Sequence, residues 1–249
     1  MMTSSPASTF ASNSDRRAFA SATLTVIAIT VSPLVCISRR ASASYVSRYR
    51  IIPQRFKELT TIFLLRHGET VWNAAGRFQG QKDSPLTERG QQQADEAGRR
   101  LARELERHPG QIDVHVSPLG RTKETAARIA RYVPLRSRDE PRLMEVTIGS
   151  WDGMSHYEIH MEYPGMLEGA DAFNWFFRSP DGETFDAACA RIKEWLSQLR
   201  STTIAISHGL TGRLIRGMYL GLSREEMLEL PVPQTGFYRL QNGQAQYIE

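Results

Sequence analysis

Residues 62–73 read Ile-Phe-Leu-Leu-Arg-His-Gly-Glu-Thr-Val-Trp-Asn. An apolar, strand-like run from Ile62 to Leu65 stops abruptly at Arg66-His67-Gly68. A buried strand that delivers reactive side chains at its C-terminal tip is how an open α/β sheet furnishes its crevice. Arginine offers a planar fork of donors to an oxyanion. The adjacent histidine is a nucleophile or an acid/base group near neutral pH.

Outward from this run the chain alternates strands and helices. Apolar strand candidates are Thr61–Leu65, Val114–Ser117, Leu135–Ser137 and Thr203–Ser207. Helical patterns lie between them: 87–107, with Ala94, Ala97, Leu101 and Leu105 on one stripe, and 119–132. Thr184 is placed to cap a helix whose apolar face is Phe185, Ala188, Cys189, Ile192, Trp195 and Leu199. A helix follows from Gly209 to Leu220, and Ser223-x-x-Glu226 is a capping box for a short one. Segments 236–241 and 244–248, joined through Asn242-Gly243, predict a β-hairpin. The expected fold is α/β, with a mainly parallel sheet covered on both faces. There is no internal repeat and no heptad run.

Bulk properties narrow the function classes. The 249 residues are 41% hydrophobic and 23% charged, ordinary values for a globular protein with a real core. The net charge of +4 is misleading as a nucleic-acid signal. Residues 1–59 hold eight Arg or Lys against Asp15 and Glu58, a surplus of six, so the remainder carries −2. A basic nucleic-acid footprint is absent from it. The two cysteines, Cys36 and Cys189, fall in different regions and argue against a disulfide framework or a cysteine-based metal site.

Residues 1–59 are expected to be a non-globular leader, and 60–249 the folded domain. The leader is rich in Ser, Ala and Arg, and its apolar run, 22–37, is shorter than the roughly 20 residues that span a bilayer. Arg16-Arg17 precedes that run and Ala41-Ser42-Ala43 follows it, the order of a twin-Arg-like export signal. The competing readings are a start chosen too far upstream, and a retained anchor. The first of these makes the protein cytoplasmic, a cleaved signal makes it exported, and only an anchor brings in a membrane.

The central stretch also resembles the signature of the histidine phosphatase superfamily, the phosphoglycerate mutase-like family. Asn73, Arg77, Gln79-Gly80, Asp83 and Pro85-Leu86-Thr87 continue the resemblance, followed by Gly90 and Gln93-Ala94. Ser117-Pro118-Leu119-Gly120-Arg121-Thr122 with Thr125-Ala126 is similar to a second block of that family. Leu143-Met144-Glu145 with Gly149-x-Trp151-Asp152-Gly153 is similar to a third, and Ser207-His208-Gly209 to a fourth. The four ordered blocks cover about residues 60–240. They imply a three-layer α/β/α sandwich of phosphoglycerate mutase-like type.

The resemblance also implies roles. His67 is the expected nucleophile, forming a phosphohistidine, with its other ring nitrogen donating to a backbone carbonyl. Arg66 and Arg121 are expected to hold the equatorial phosphoryl oxygens, and His208 to support the group in transfer beside the amides of a helix N-terminus. Glu145 is the expected general acid, with Glu140 and Asp152 as alternatives. Asn73 is expected to donate to the phosphate, Gln79 and Gly80 to line its approach, and Gly209 to complete the site. Glu69 reads as structural. His156 and His160 share a helix face at i, i+4, but no third ligand accompanies them, so no metal and no cofactor are expected. The aromatic group Phe173, Trp175, Phe176, Phe177 reads as core or as pocket wall. The expected partner is a small phosphorylated substrate, and a homodimer is compatible with the sequence.

Two reactions share such a site. The insert 151–184 lacks the Trp-Arg-Arg-Ser type motif of the mutases that this family contains. It ends in Gly182-Glu183-Thr184, similar to the phosphatase branch, and Leu210 stands where mutases usually have Asn. The resemblance therefore implies a phosphomonoester hydrolase. A cofactor-dependent mutase is the alternative, and a non-catalytic phosphate-binding member the second.

Overall fold

The computed structural model describes residues 60–134, 136–170 and 174–249. The leader, Cys36, Leu135 and Phe173 lie outside the described residues. The strands are β1 (Ile62–Arg66), β2 (Ile112–Val116), β3 (Ser137–Asp139), β4 (Thr202–Ser207), β5 (Phe237–Gln241) and β6 (Gln244–Ile248). The helices are α1 (Val71–Ala74), α2 (Glu88–Leu105), α3 (Gly120–Ile129), α4 (His156–Glu162), α5 (Phe185–Gln198), α6 (Gly209–Leu220) and α7 (Arg224–Glu229).

The six strands form one sheet in the order β3-β2-β4-β1-β5-β6. β3, β2, β4 and β1 run parallel, while β5 and β6 are antiparallel additions beside β1. The apolar run of β1 serves both faces in alternation. Ile62 and Leu64 pack with Ala205 and Leu240 against α5 and α6, through Ile192, Trp195, Leu214 and Met218. Phe63 and Leu65 pack with Val116, Ile204 and Ile206 against α2 and α3, through Leu101 and Ile129. This is the three-layer α/β/α sandwich. Each fully buried aliphatic side chain contributes about 1.5–3 kcal/mol through water exclusion.

The local signals act as the sequence predicts. Thr184 accepts from the Ala187 amide and starts α5, and Ser223 and Glu226 complete a capping box at α7. Asn242 and Gly243 both have positive φ, 52° and 73°, the type I′ geometry that turns β5 into β6. The third strand differs from the expectation. The strand described beside β2 is Ser137–Asp139, where Leu135–Ser137 was expected and Leu135 lies outside the described residues, and Ser137, Arg138 and Asp139 are all exposed. An edge strand with water on its side chains leaves no apolar alternation to read.

β1 and β4 are neighbours in register, with Arg66 opposite Ser207, so both end on the same side of the sheet. The chain leaving β1 reaches α2 on one face, and that leaving β4 enters α6 on the other. Between such divergent exits lies the crevice where open α/β sheets bind ligands.

Candidate active site

A cavity of about 390 Å³ opens at this crevice. Arg66, His67, Asn73, Gln79, Gly80, Arg121, Glu145 and Gly209 all line it. His208 stands behind His67, its ring centroid 5.3 Å away, and is itself buried. Residues from four blocks of sequence, separated by up to about 140 positions, thus converge at the ends of β1, β2 and β4.

His67 is held by its own backbone: Nδ1 lies 2.8 Å from the Gly68 carbonyl oxygen. That bond makes Nδ1 the protonated nitrogen and leaves the Nε2 lone pair as the nucleophilic one. Burial, then the charges of Arg66 and Arg121, push the His67 pKa well below 6.5, against a smaller opposing effect of the Gly68 carbonyl. His208 is lowered likewise, by burial and then by Arg121, His67 and Arg66. Its Nε2 lies 2.7 Å from the Ser117 hydroxyl at the tip of β2. Burial lowers the Arg66 pKa to about 10, with Glu145 opposing the fall.

The two phosphate-clamp candidates are anchored differently. Arg66 donates from Nη1 to the Val232 carbonyl, at 3.1 Å. Arg121 donates from Nη1 to the Lys82 carbonyl and Asp83 Oδ1, both at 2.7 Å, and from Nη2 to the Gly80 carbonyl at 2.8 Å. In each guanidinium, Nε is buried and makes no hydrogen bond within the protein, and the same is true of His208 Nδ1. Buried nitrogens without a protein partner are costly, and several in one site fit an anionic acceptor.

Glu145 caps the amino end of α6. It accepts from the amides of Leu210 (3.1 Å) and Thr211 (2.9 Å), from the Thr211 hydroxyl (3.0 Å) and from the Val146 amide (3.1 Å). The sequence assigned those helix amides to a bound anion. Two of them are instead taken up by the side chain of Glu145. Of the three carboxylates weighed as the acid, Glu145 lines the cavity. Glu140 pairs with Arg142, and Asp152 accepts from the Gln81 and Ile148 amides, and neither lines the cavity.

Asn73 accepts from the Thr70 amide through Oδ1, which leaves its NH₂ group for the cavity. Gln79 spends its amide on Thr70 and Ser84, so it shapes the wall through its backbone and bulk. Glu69 accepts from the Thr87 hydroxyl and does not line the cavity. Of the aromatic group, Trp175 is core, Phe176 lines the cavity and Phe177 packs on Phe185. His156 is the first residue of α4 and His160 lies in its last turn, and His156 packs edge-on against Trp175. Among the described residues no three His, Cys, Asp or Glu side chains gather in a metal-binding group.

Sequence reasoning missed Ser117 and Thr211 as partners of His208 and Glu145, and Arg213 as a lining residue. Arg213 follows Gly209 by four positions, one turn along α6, and that spacing would have placed it on the same side.

The chain has counterparts among known proteins. The model of the histidine phosphatase superfamily (branch 1) matches residues 62–247. The metal-independent phosphoserine phosphatase of Arabidopsis thaliana is 35% identical over 181 residues, spanning 67% of this chain and 70% of that protein. A protein of Erwinia tasmaniensis named "Probable phosphoglycerate mutase GpmB" is 31% identical over 192 residues, 75% of this chain and 87% of its own. Among solved structures, Bacillus stearothermophilus YhfR is 26% identical with a TM-score of 0.63, covering 76% of this chain and 95% of its own.

Proposed function

The chain belongs to the histidine phosphatase superfamily, and from that premise we propose that it is a phosphomonoester hydrolase working through a phosphohistidine at His67. The observation that carries this reading is the His67 ring, fixed on the Gly68 carbonyl beside two arginines whose Nε groups have no protein partner. A neutral imidazole aimed at an anion site is a nucleophile for phosphorus.

In the first step His67 Nε2 attacks phosphorus in line and the bond to the alkoxy oxygen breaks. The carboxyl form of Glu145 gives that oxygen its proton, so the alcohol leaves neutral. Arg66, Arg121, Asn73 and His208 donate to the phosphoryl oxygens, whose spread charge grows in the transition state. In the second step water attacks the phosphohistidine, Glu145 takes back a proton, and inorganic phosphate leaves with His67 restored.

Protein quenched during turnover of a labelled small phosphate ester is expected to carry acid-labile, base-stable phosphate. His67→Ala is expected to carry none and to lose at least about 10³-fold in kcat. Unchanged turnover by His67→Ala overturns the proposal. The reading takes catalysis as metal-independent, in line with the name of the Arabidopsis relative, and activity should survive exhaustive chelation. The mutase reading draws on the GpmB-named relative. It predicts phosphate moved on the glycerate, where the hydrolase releases inorganic phosphate.

A further inference from the structure

Outside the anion end, the cavity wall is apolar: Phe78, Val146, Ile148, Phe176, Leu210 and Val232. Phe176 stands edge-on to Phe78 at 6.2 Å and is braced from behind by Trp175, stacked at 4.0 Å. Trp175 is buried in its own cluster with Ile148, Trp151 and Ile159, so this wall is fixed rather than a loose surface loop. A volume near 390 Å³ accommodates far more than a phosphoryl group.

The charges of the wall are already answered. Arg77 makes a bidentate pair with Glu158, at 2.7 and 2.8 Å, and also donates to the Gly153 carbonyl. Arg121 pairs with Asp83. Arg66 and Arg213 both lie in the field of Glu145, and Arg213 Nε donates to the Leu230 carbonyl at 2.7 Å. With Glu145 in the carboxyl form that the reaction needs, four arginines against Glu158 and Asp83 leave a surplus of two positive charges. A phosphomonoester dianion already uses that surplus in full. A second anionic group on the substrate would bring negative charge into a largely apolar, desolvated space with no cation to pair it.

We propose that the leaving-group end of this pocket selects an uncharged alcohol with an aromatic or bulky aliphatic body, packed against Phe78, Phe176 and Ile148. The proposal rests on the phosphomonoesterase reading and names its substrate class. Phosphoserine and 3-phosphoglycerate, which both carry a carboxylate, fall outside that class.

The test is kcat/KM for four alkyl esters: 2-phenylethyl phosphate, glycerol 3-phosphate, phosphoserine and 3-phosphoglycerate. All have alkyl leaving groups of high pKa, so they draw alike on the general acid. Phenylethyl phosphate is expected to exceed glycerol phosphate by about tenfold or more, with both carboxylates lowest. Phe176→Ala is expected to shrink the phenylethyl-to-glycerol ratio by about tenfold, and Phe176→Leu to keep most of it. A ratio measured on one preparation does not depend on how much of the variant is folded. An unchanged ratio in Phe176→Ala overturns the proposal. So does faster turnover of phosphoserine or 3-phosphoglycerate, and loss of that preference in Arg213→Gln would trace it to a carboxylate on Arg213. Hydrolysis of none of the four would instead sink the phosphomonoesterase reading itself.

Discussion

The imidazole of His67 must be neutral, and protonated on the correct nitrogen, before it can attack phosphorus. Burial and two adjacent guanidinium groups provide the first condition, and the Gly68 carbonyl the second. At pH 6.5, where an ordinary imidazole is half charged, both His67 and His208 are expected to be neutral in the ligand-free protein. Nitrogen-15 spectra of labelled histidines would show this, with the His67 proton on Nδ1. Bound inorganic phosphate should raise both pKa values, since a dianion opposes the arginine charges that help lower them. A ring found charged at pH 6.5 without ligand would contradict this account. Glu145 supports a second expectation. Glu145→Gln should slow alkyl phosphates by about 10²–10⁴-fold while slowing nitrophenyl phosphate far less, because that phenolate leaves without a proton. An equal loss on both would assign Glu145 to holding the amino end of α6. At this scale Arg66 and His67 were legible because a strand that ends in polar residues must aim them somewhere. Ser117 and Thr211 were not, because a hydroxyl gains its role only from the ring or carboxylate that folding sets beside it.

Elements place these side chains through close contacts at their ends. The loop after β1 passes so near the start of α2 that Gly68 and Gly90 face each other backbone to backbone. A Cβ on Gly68 would collide with the Gly90 carbonyl, and a Cβ on Gly90 with the Glu69 carbonyl. Thr87 ties the same junction, accepting from the Gly90 amide and donating to Glu69. Gly68→Ala should therefore cost about 1–3 kcal/mol of stability, read as a lowered denaturant midpoint. It should also cut kcat, because the carbonyl that orients His67 belongs to residue 68 itself. Full activity with unchanged stability would show that the loop has slack the contacts do not reveal. The helix and hairpin signals were readable one element at a time: a capping threonine, a capping box, an Asn-Gly turn. β3 was not, since its residues face water and only pairing with β2 makes them a strand.

Across the molecule three histidines are buried, and acid should expose the consequence. His67, His208 and His115 all have pKa values lowered in the folded state, with burial the largest cause in each. Above about pH 6.5 these histidines are neutral both folded and unfolded, and they add no pH dependence. Below it the unfolded chain takes up protons that the folded chain refuses, so stability falls as pH falls towards the folded values. Each such histidine contributes up to about 1.4 kcal/mol per pH unit. Urea unfolding at pH 7.5 and 5.5 should show the drop. His208→Gln should flatten it by about one histidine's share, and an unaltered slope would count against a neutral, buried His208. The sequence by itself determined the class of fold, because a strand run apolar on both sides and helices with one apolar stripe can bury those surfaces only in layers. It also supplied the set of candidate residues, Arg66 and His67 as the polar tip of an apolar strand and the others through the resemblance of four ordered blocks to one family. Tertiary structure alone decided which carboxylate faces the cavity, which donors remain unpaired and what lines the leaving-group wall. Those properties arise from groups far apart in the chain, where burial and neighbouring charge set proton affinity and an aromatic side chain becomes core or pocket only by what packs behind it.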